Sequence, residues 1–162
     1  KKYNITLRRF ASPLKKTLRF FTKEVSKEDS VWLYGILKER FGEDVLHTAL
    51  RKEIATLDRE VICVNGLRMP RDEEFVRSFS RHAIIYVTAD QKLRWERTVD
   101  RGEKTDDDQS FAEFQEFEAT AETEKAVPEI GSRAEYTIEN AGTLDELLQS
   151  TNTVIEEILQ EK

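Results

Sequence analysis

Apolar and polar positions along the chain change period several times. Residues 61–64, Val-Ile-Cys-Val, are apolar without alternation and stop abruptly at Asn65-Gly66. Such a run predicts a strand buried on both faces, the kind found in parallel sheets covered by helices. Residues 83–87, Ala-Ile-Ile-Tyr-Val, predict a second strand of this type, and residues 136–138 a short third one ending in Glu139-Asn140. Residues 5–10 alternate instead, which predicts a half-exposed strand at a sheet edge.

Between these runs the period is helical. Ser12 as N-cap and Pro13 as first helical residue open a helix with a stripe of Leu14, Leu18 and Phe21. Ser26 and Asp29 form a capping box for a helix that turns Trp32, Leu33, Ile36 and Leu37 inward and ends at Gly42. A third helix is predicted over 44–57, a fourth from Pro70 to about 79, and a fifth from its cap Asp90 to about 101, stopped by Gly102. Residues 103–109 read as a polar, acidic, mobile loop. Ser110 with Glu113 caps a helix carrying Phe111, Phe114 and Phe117. Thr143 with Glu146 caps the last, in which Leu144, Leu147, Leu148, Thr151, Val154, Ile155, Ile158 and Leu159 share one face. Strands alternating with helices predict an α/β fold with a mainly parallel sheet, one domain over 1–162.

Composition narrows this picture. The 162 residues suffice for one real core, 36% of them are charged, and no apolar run reaches membrane length. A cytoplasmic protein without a membrane partner is expected, and no signal-peptide pattern is present. The single cysteine, Cys63, allows no internal disulfide and fits a reducing compartment; its place in a strand predicts a small core residue. Net charge is −6, unevenly spread: residues 1–23 hold eight basic side chains and no acidic one, whereas residues 103–124 hold nine acidic ones and only Lys104 as a base. Nucleic-acid binders usually carry a basic excess overall, so no nucleic-acid partner is expected. The basic start reads as a local anion site or a solvated surface.

Candidate chemistry centres on arginines. Arg94, Arg97 and Arg101 stand three and four apart and share a helical face after a strand, where guanidinium forks suit phosphate oxygens. The bland alternative is a solvated helix whose charges neighbour Asp90 and the helix's negative end. Ligands of open α/β sheets sit outside the carboxyl ends of the strands, and Asn65, Gly66 and Arg68 occupy that place. Asn-Gly there is equally a plain turn, and Arg68 a plain surface charge. Arg40, before Phe41-Gly42, is a further anion candidate. His47 and His82 have no catalytic partners at recognisable spacing, and no metal-ligand set is predicted.

Five stretches in order carry a family resemblance. They are Phe10-Ala11-Ser12-Pro13-Leu14; Glu39-Arg40-Phe41-Gly42-Glu43-Asp44-Val45-Leu46; Val64-Asn65-Gly66-Leu67-Arg68-Met69-Pro70; Tyr86-Val87-Thr88-Ala89-Asp90 with Arg94, Arg97 and Arg101; and Ala134-Glu135-Tyr136-Thr137-Ile138-Glu139-Asn140 with Gly142-Thr143-Leu144. Together the chain resembles the P-loop nucleoside monophosphate kinase-like family, on the side that includes dephospho-coenzyme A kinase. The resemblance implies a three-layer fold with a lid region at about 94–124. It implies that Arg40 and Arg68 hold the acceptor phosphate, that Ser12 lines the acceptor pocket, and that Arg94, Arg97 and Arg101 close over the donor phosphates. The reaction implied is transfer of the γ-phosphoryl group of ATP, with Mg²⁺, to a small nucleotide or nucleotide-like acceptor. A non-catalytic nucleotide-binding relative is the alternative, and a plain interaction domain a third; a homo-oligomer is open in each.

Two departures bear on this. Asn65 stands where the family has an aspartate, and an amide holds a hard cation less well. There is also no G-x-x-x-x-G-K-[ST] phosphate loop in the sequence. In the family that loop follows the central strand, upstream of the segment matching Lys1 and between the strands matching 61–64 and 83–87. Buried unpaired backbone groups cost about 1–3 kcal/mol each, against a domain stability of roughly 5–15 kcal/mol. The expectation is that an upstream segment exists, that another chain supplies the strand, or that the sheet closes differently.

Overall fold

The computed structural model of the protein describes residues 4–59, 61–101 and 109–160. Within them the order is β1 (Ile5–Arg9), α1 (Ser12–Leu18), α2 (Lys27–Phe41), α3 (Val45–Ala55), β2 (Val61–Asn65), α4 (Pro70–Arg77), β3 (Ile85–Thr88), α5 (Gln91–Arg101), α6 (Phe111–Thr120), α7 (Glu122–Ser132), β4 (Tyr136–Glu139) and α8 (Leu144–Gln160). The chain is mixed α/β with parallel strands. Its contacts gather into two compact units, Lys1–Leu67 and Arg68–Lys162.

In the first unit β1 pairs with β2 in parallel, Ile5 opposite Val61 and Arg9 opposite Asn65. Three helices make the crossover that parallel pairing demands: α1 contacts α2 and α3, and α2 contacts α3. Leu14, Leu18 and Leu50 are buried there, Leu50 completely. In the second unit β3 pairs with β4 in parallel, Ile85 opposite Tyr136 and Thr88 opposite Glu139, again across three helices. α8 lies on β4, α5 on α6, α6 on α7, and α4 on α7. Phe75, Ile84, Phe114, Ile130 and Ile138 form that core.

The strands therefore divide into two two-stranded sheets, where the sequence predicts one; the described residues do not close a single sheet. Burial on both faces also fails. Cys63 is exposed and Val87 is 51% exposed. A two-stranded ladder has no inner strand, and the face bearing these residues is left open among the described residues. Cys63 is thus not a core residue. Neighbouring atoms still desolvate its sulfur enough to raise the thiol's pKa, so it is not poised as a thiolate.

Most predicted helix starts are found. Ser26 Oγ accepts from the Asp29 N–H (2.9 Å) while Asp29 Oδ2 accepts from the Ser26 N–H (3.2 Å). The Ser110–Glu113 and Thr143–Glu146 pairs close in the same reciprocal way. Asp90 Oδ1 accepts from the Lys92 and Leu93 amides at the start of α5. At α1 the cap lies one residue earlier than predicted: Ala11 is the N-cap and Ser12 the first helical residue. The Ser12 hydroxyl instead accepts the Arg9 N–H at 3.0 Å, as β1 ends.

The apolar stripes are only partly buried. α1 ends at Leu18, so Phe21 falls beyond it and stands 84% exposed. α2 has no buried residue; Trp32 and Ile36 are both exposed. In α8, which contacts β4, Leu144 and Leu148 are exposed and no residue is fully buried. α7 is a helix that the sequence pattern does not predict; Pro128 lies inside it and only Ile130 and Gly131 are buried. Gly102 and the acidic run 103–108 lie outside the described residues. No helix among the described residues is long and apolar enough to cross a membrane.

Candidate anion-binding site

Ser12, Arg40, Asn65 and Gly66 belong to the first unit. The Ser12 hydroxyl is already engaged by the Arg9 amide. Arg40 lies exposed in the last turn of α2, beside the cap Gly42, where a cation also complements the helix's negative end. Asn65 is the exposed last residue of β2, and Gly66 follows with φ +93°, a left-handed conformation that leads the chain out of the strand.

Arg68, Arg94, Arg97 and Arg101 belong to the second unit. The backbone at Arg68 is fixed by Asp72, whose buried carboxylate Oδ2 accepts the Arg68 and Met69 N–H groups, both at 3.0 Å. Pro70 at the first helical position and Asp72 in the first turn make this a stable helix start. The Arg68 guanidinium is half exposed and forms an ion pair with Glu124 of α7.

Arg94 leaves α5 with its guanidinium paired to Glu118 of α6, its Nε donating to the Ala89 carbonyl (3.1 Å), and its Cζ 5.9 Å from the Phe114 ring centroid. Gln91 Nε2 holds the other oxygen of Glu118 at 3.1 Å. Arg97 goes elsewhere: Nη1 donates to the Asn140 carbonyl at 2.6 Å and Nη2 to that of Gly142 at 3.0 Å. It thus ties α5 to the turn between β4 and α8, and Asn140 N–H in turn donates to the Thr88 carbonyl at 2.6 Å. Arg101 ends α5 and is exposed. One helical face therefore sends Arg94 and Arg97 to different partners.

A second cluster had no mark in the sequence. Glu73, 7% exposed, accepts from Arg77 Nε (2.9 Å), Arg133 Nε (3.1 Å) and Arg133 Nη2 (2.6 Å). Arg77 continues to Glu135 (2.6 Å) and to the Arg133 carbonyl (2.7 Å), and Arg133 to Glu129 (2.8 Å). Hydrogen bonds from Arg133, working against burial and aided by Arg77, lower the Glu73 pKa to about 2. At Glu135 burial opposes ionisation, but the Ile84 N–H and Arg77 outweigh it and the pKa is lowered. Glu73 and Arg133 lie 60 residues apart, so no local motif announces the cluster. With every charge answered inside the cluster, it fastens α4 to α7 and to the start of β4, and is structural.

Arg68 and Arg94 present half-exposed guanidinium groups, whereas among the described residues no group of three or more His, Cys, Asp or Glu could hold a metal ion.

No family model matches the chain. Over 125 residues, 76% of its length, it is 24% identical to a UPF0200 protein of Methanothermobacter thermautotrophicus. The chain spans 65% of the length of that relative, whose name carries no activity.

Proposed function

We propose that the chain is the acceptor-binding and lid-bearing part of a nucleotide kinase-like phosphotransferase, which passes the γ-phosphoryl group of ATP to a small nucleotide or nucleotide-like acceptor. The observation that carries this reading is Arg68. Its backbone is held by Asp72 at the start of α4, and its guanidinium is half open to solvent. A guanidinium fork held this way matches phosphate oxygens in geometry and charge. Arg94 supplies a second phosphate-compatible group. The five ordered motifs add the family resemblance. In this reading Mg²⁺ arrives with the donor nucleotide, since a magnesium ion commonly keeps phosphate and water ligands.

The neutral amide of Asn65, exposed at the end of β2, favours a second reading: a nucleotide-binding relative without turnover. Calorimetric titration of the full-length protein with ATP and Mg²⁺, followed by acceptor-dependent ATP turnover, separates the two. Binding with turnover supports the kinase; binding alone supports the second reading; absence of binding sinks both and leaves an interaction domain.

A further inference from the structure

Arg68 and Arg94 come from different elements, the turn before α4 and helix α5. Each is nonetheless neutralised by a glutamate from the same helical pair: Glu124 of α7 takes Arg68 and Glu118 of α6 takes Arg94. The two carboxylates are about four-fifths buried, whereas the two guanidinium groups remain about half exposed. α6 contacts α5, and α7 contacts α4. We propose that the α6–α7 pair is an internal latch: Glu118 and Glu124 occupy the arginines as carboxylate stand-ins for phosphate oxygens, and a phosphorylated ligand must displace them to bind. This deepens the reading above and rests on Arg68 and Arg94 being phosphate contacts.

The chemistry favours exchange over permanence. A carboxylate and a phosphate offer the same guanidinium fork two oxygens each, but a triphosphate brings more charge and more acceptors. The guanidinium side of each pair is half open to solvent, so an incoming anion can reach it while the carboxylate is still in place. Displacing either would remove one of the ties that hold the pair to its neighbours, Glu118 to α5 or Glu124 to the turn before α4, coupling ligand arrival to loosening of the helical pair. Arg97 would not take part, because its partners are backbone carbonyls of the β4–α8 turn.

The probe is inorganic triphosphate, titrated calorimetrically into the full-length protein and its E118Q/E124Q variant. Glutamine keeps the shape, and at position 118 an acceptor for Gln91, while removing the competing charge. The variant should bind about tenfold more tightly, the scale of one charge-assisted hydrogen bond no longer contested. Equal or weaker binding by a folded variant overturns the latch and leaves the kinase reading standing. No binding by either protein overturns both. Hydrogen exchange of the unaltered protein gives an answer that does not depend on the variant folding. Saturating triphosphate should speed exchange in α6 and α7, and unchanged or slowed exchange in those helices would refute the displacement.

Discussion

Arg133 grips Glu73 with two nitrogens at once, Nε on one carboxylate oxygen and Nη2 on the other. Sixty positions separate them, and their pairing brings α7 onto α4. Glu73 is buried, so Glu73→Gln removes a charge that two guanidinium groups were arranged to meet. Loss of about 2 kcal/mol in urea unfolding is expected, the scale of losing hydrogen bonds to a charged group. A change within error would show the cluster to be ornamental.

The same carboxylate sets an acid limit. Its pKa is about 2 in the folded chain against an ordinary 4.5. A depressed pKa means the unfolded chain binds the proton more readily. The contribution is therefore complete above pH 4.5 and is lost as pH falls through about 2. Stability measured from pH 6 to pH 2 should decline more steeply for the parent protein than for the Glu73→Gln variant. Parallel curves would contradict this.

Arg97 is expected to matter for folding as well as for any lid role. The lid role implied by the resemblance predicts that Arg97→Ala weakens turnover with little change in folding. Its two bonds to Asn140 and Gly142 change that expectation, since both carbonyls lose a charged donor. Thermal or urea unfolding should show a loss of about 1–2 kcal/mol. Arg97→Lys, which lacks the fork, should recover only part of it; full recovery would mean charge alone suffices.

Gly131 lies buried under the Tyr86 ring, and a Cβ there would stand 2.7 Å from three ring carbons. Gly131→Ala should cost about 1–3 kcal/mol through overpacking. Adding Tyr86→Leu should restore part of the loss, because the smaller side chain vacates the space. Additive penalties in the double-mutant cycle would place the clash elsewhere.

Gly66 tests a different property. Nothing lies within 4 Å of a Cβ at this position, so its demand is purely conformational: φ is +93°. Gly66→Ala should cost about 1–2 kcal/mol from backbone strain, with no contribution from crowding. Gly66→Asn should cost less, since asparagine tolerates left-handed backbone better. An alanine variant as stable as the parent would show that the turn relaxes.

Local patterns in this chain were legible because their physics is local. Ser26 with Asp29, Ser110 with Glu113 and Thr143 with Glu146 satisfy helix-start amides three residues away, and the sequence displays that spacing directly. The runs at 61–64 and 83–87 likewise marked strands. How the strands associate was not legible: an apolar run does not say whether both its faces will be covered, and Cys63 and Val87 stayed open. α7 escaped notice because Pro128 interrupts its pattern and its apolar residues are few. The candidate arginines were visible as residues, but their partners were not. Glu118 lies 24 positions from Arg94 and Glu124 lies 56 from Arg68, so only the fold could pair them.

Each strand pair also sets a pace for folding. Ile5 meets Val61 across 56 positions and Ile85 meets Tyr136 across 51, with three helices inside each span. The first ladder bond forms only after a long loop has closed, a debt in chain entropy that the helices cannot settle by forming alone. Local helix formation carries no such closure cost, so strand pairing is expected to follow it. Until then Val-Ile-Cys-Val and Ile-Ile-Tyr-Val lack their strand partners, and substitutions there are expected to affect refolding yield more than those on the helix surfaces.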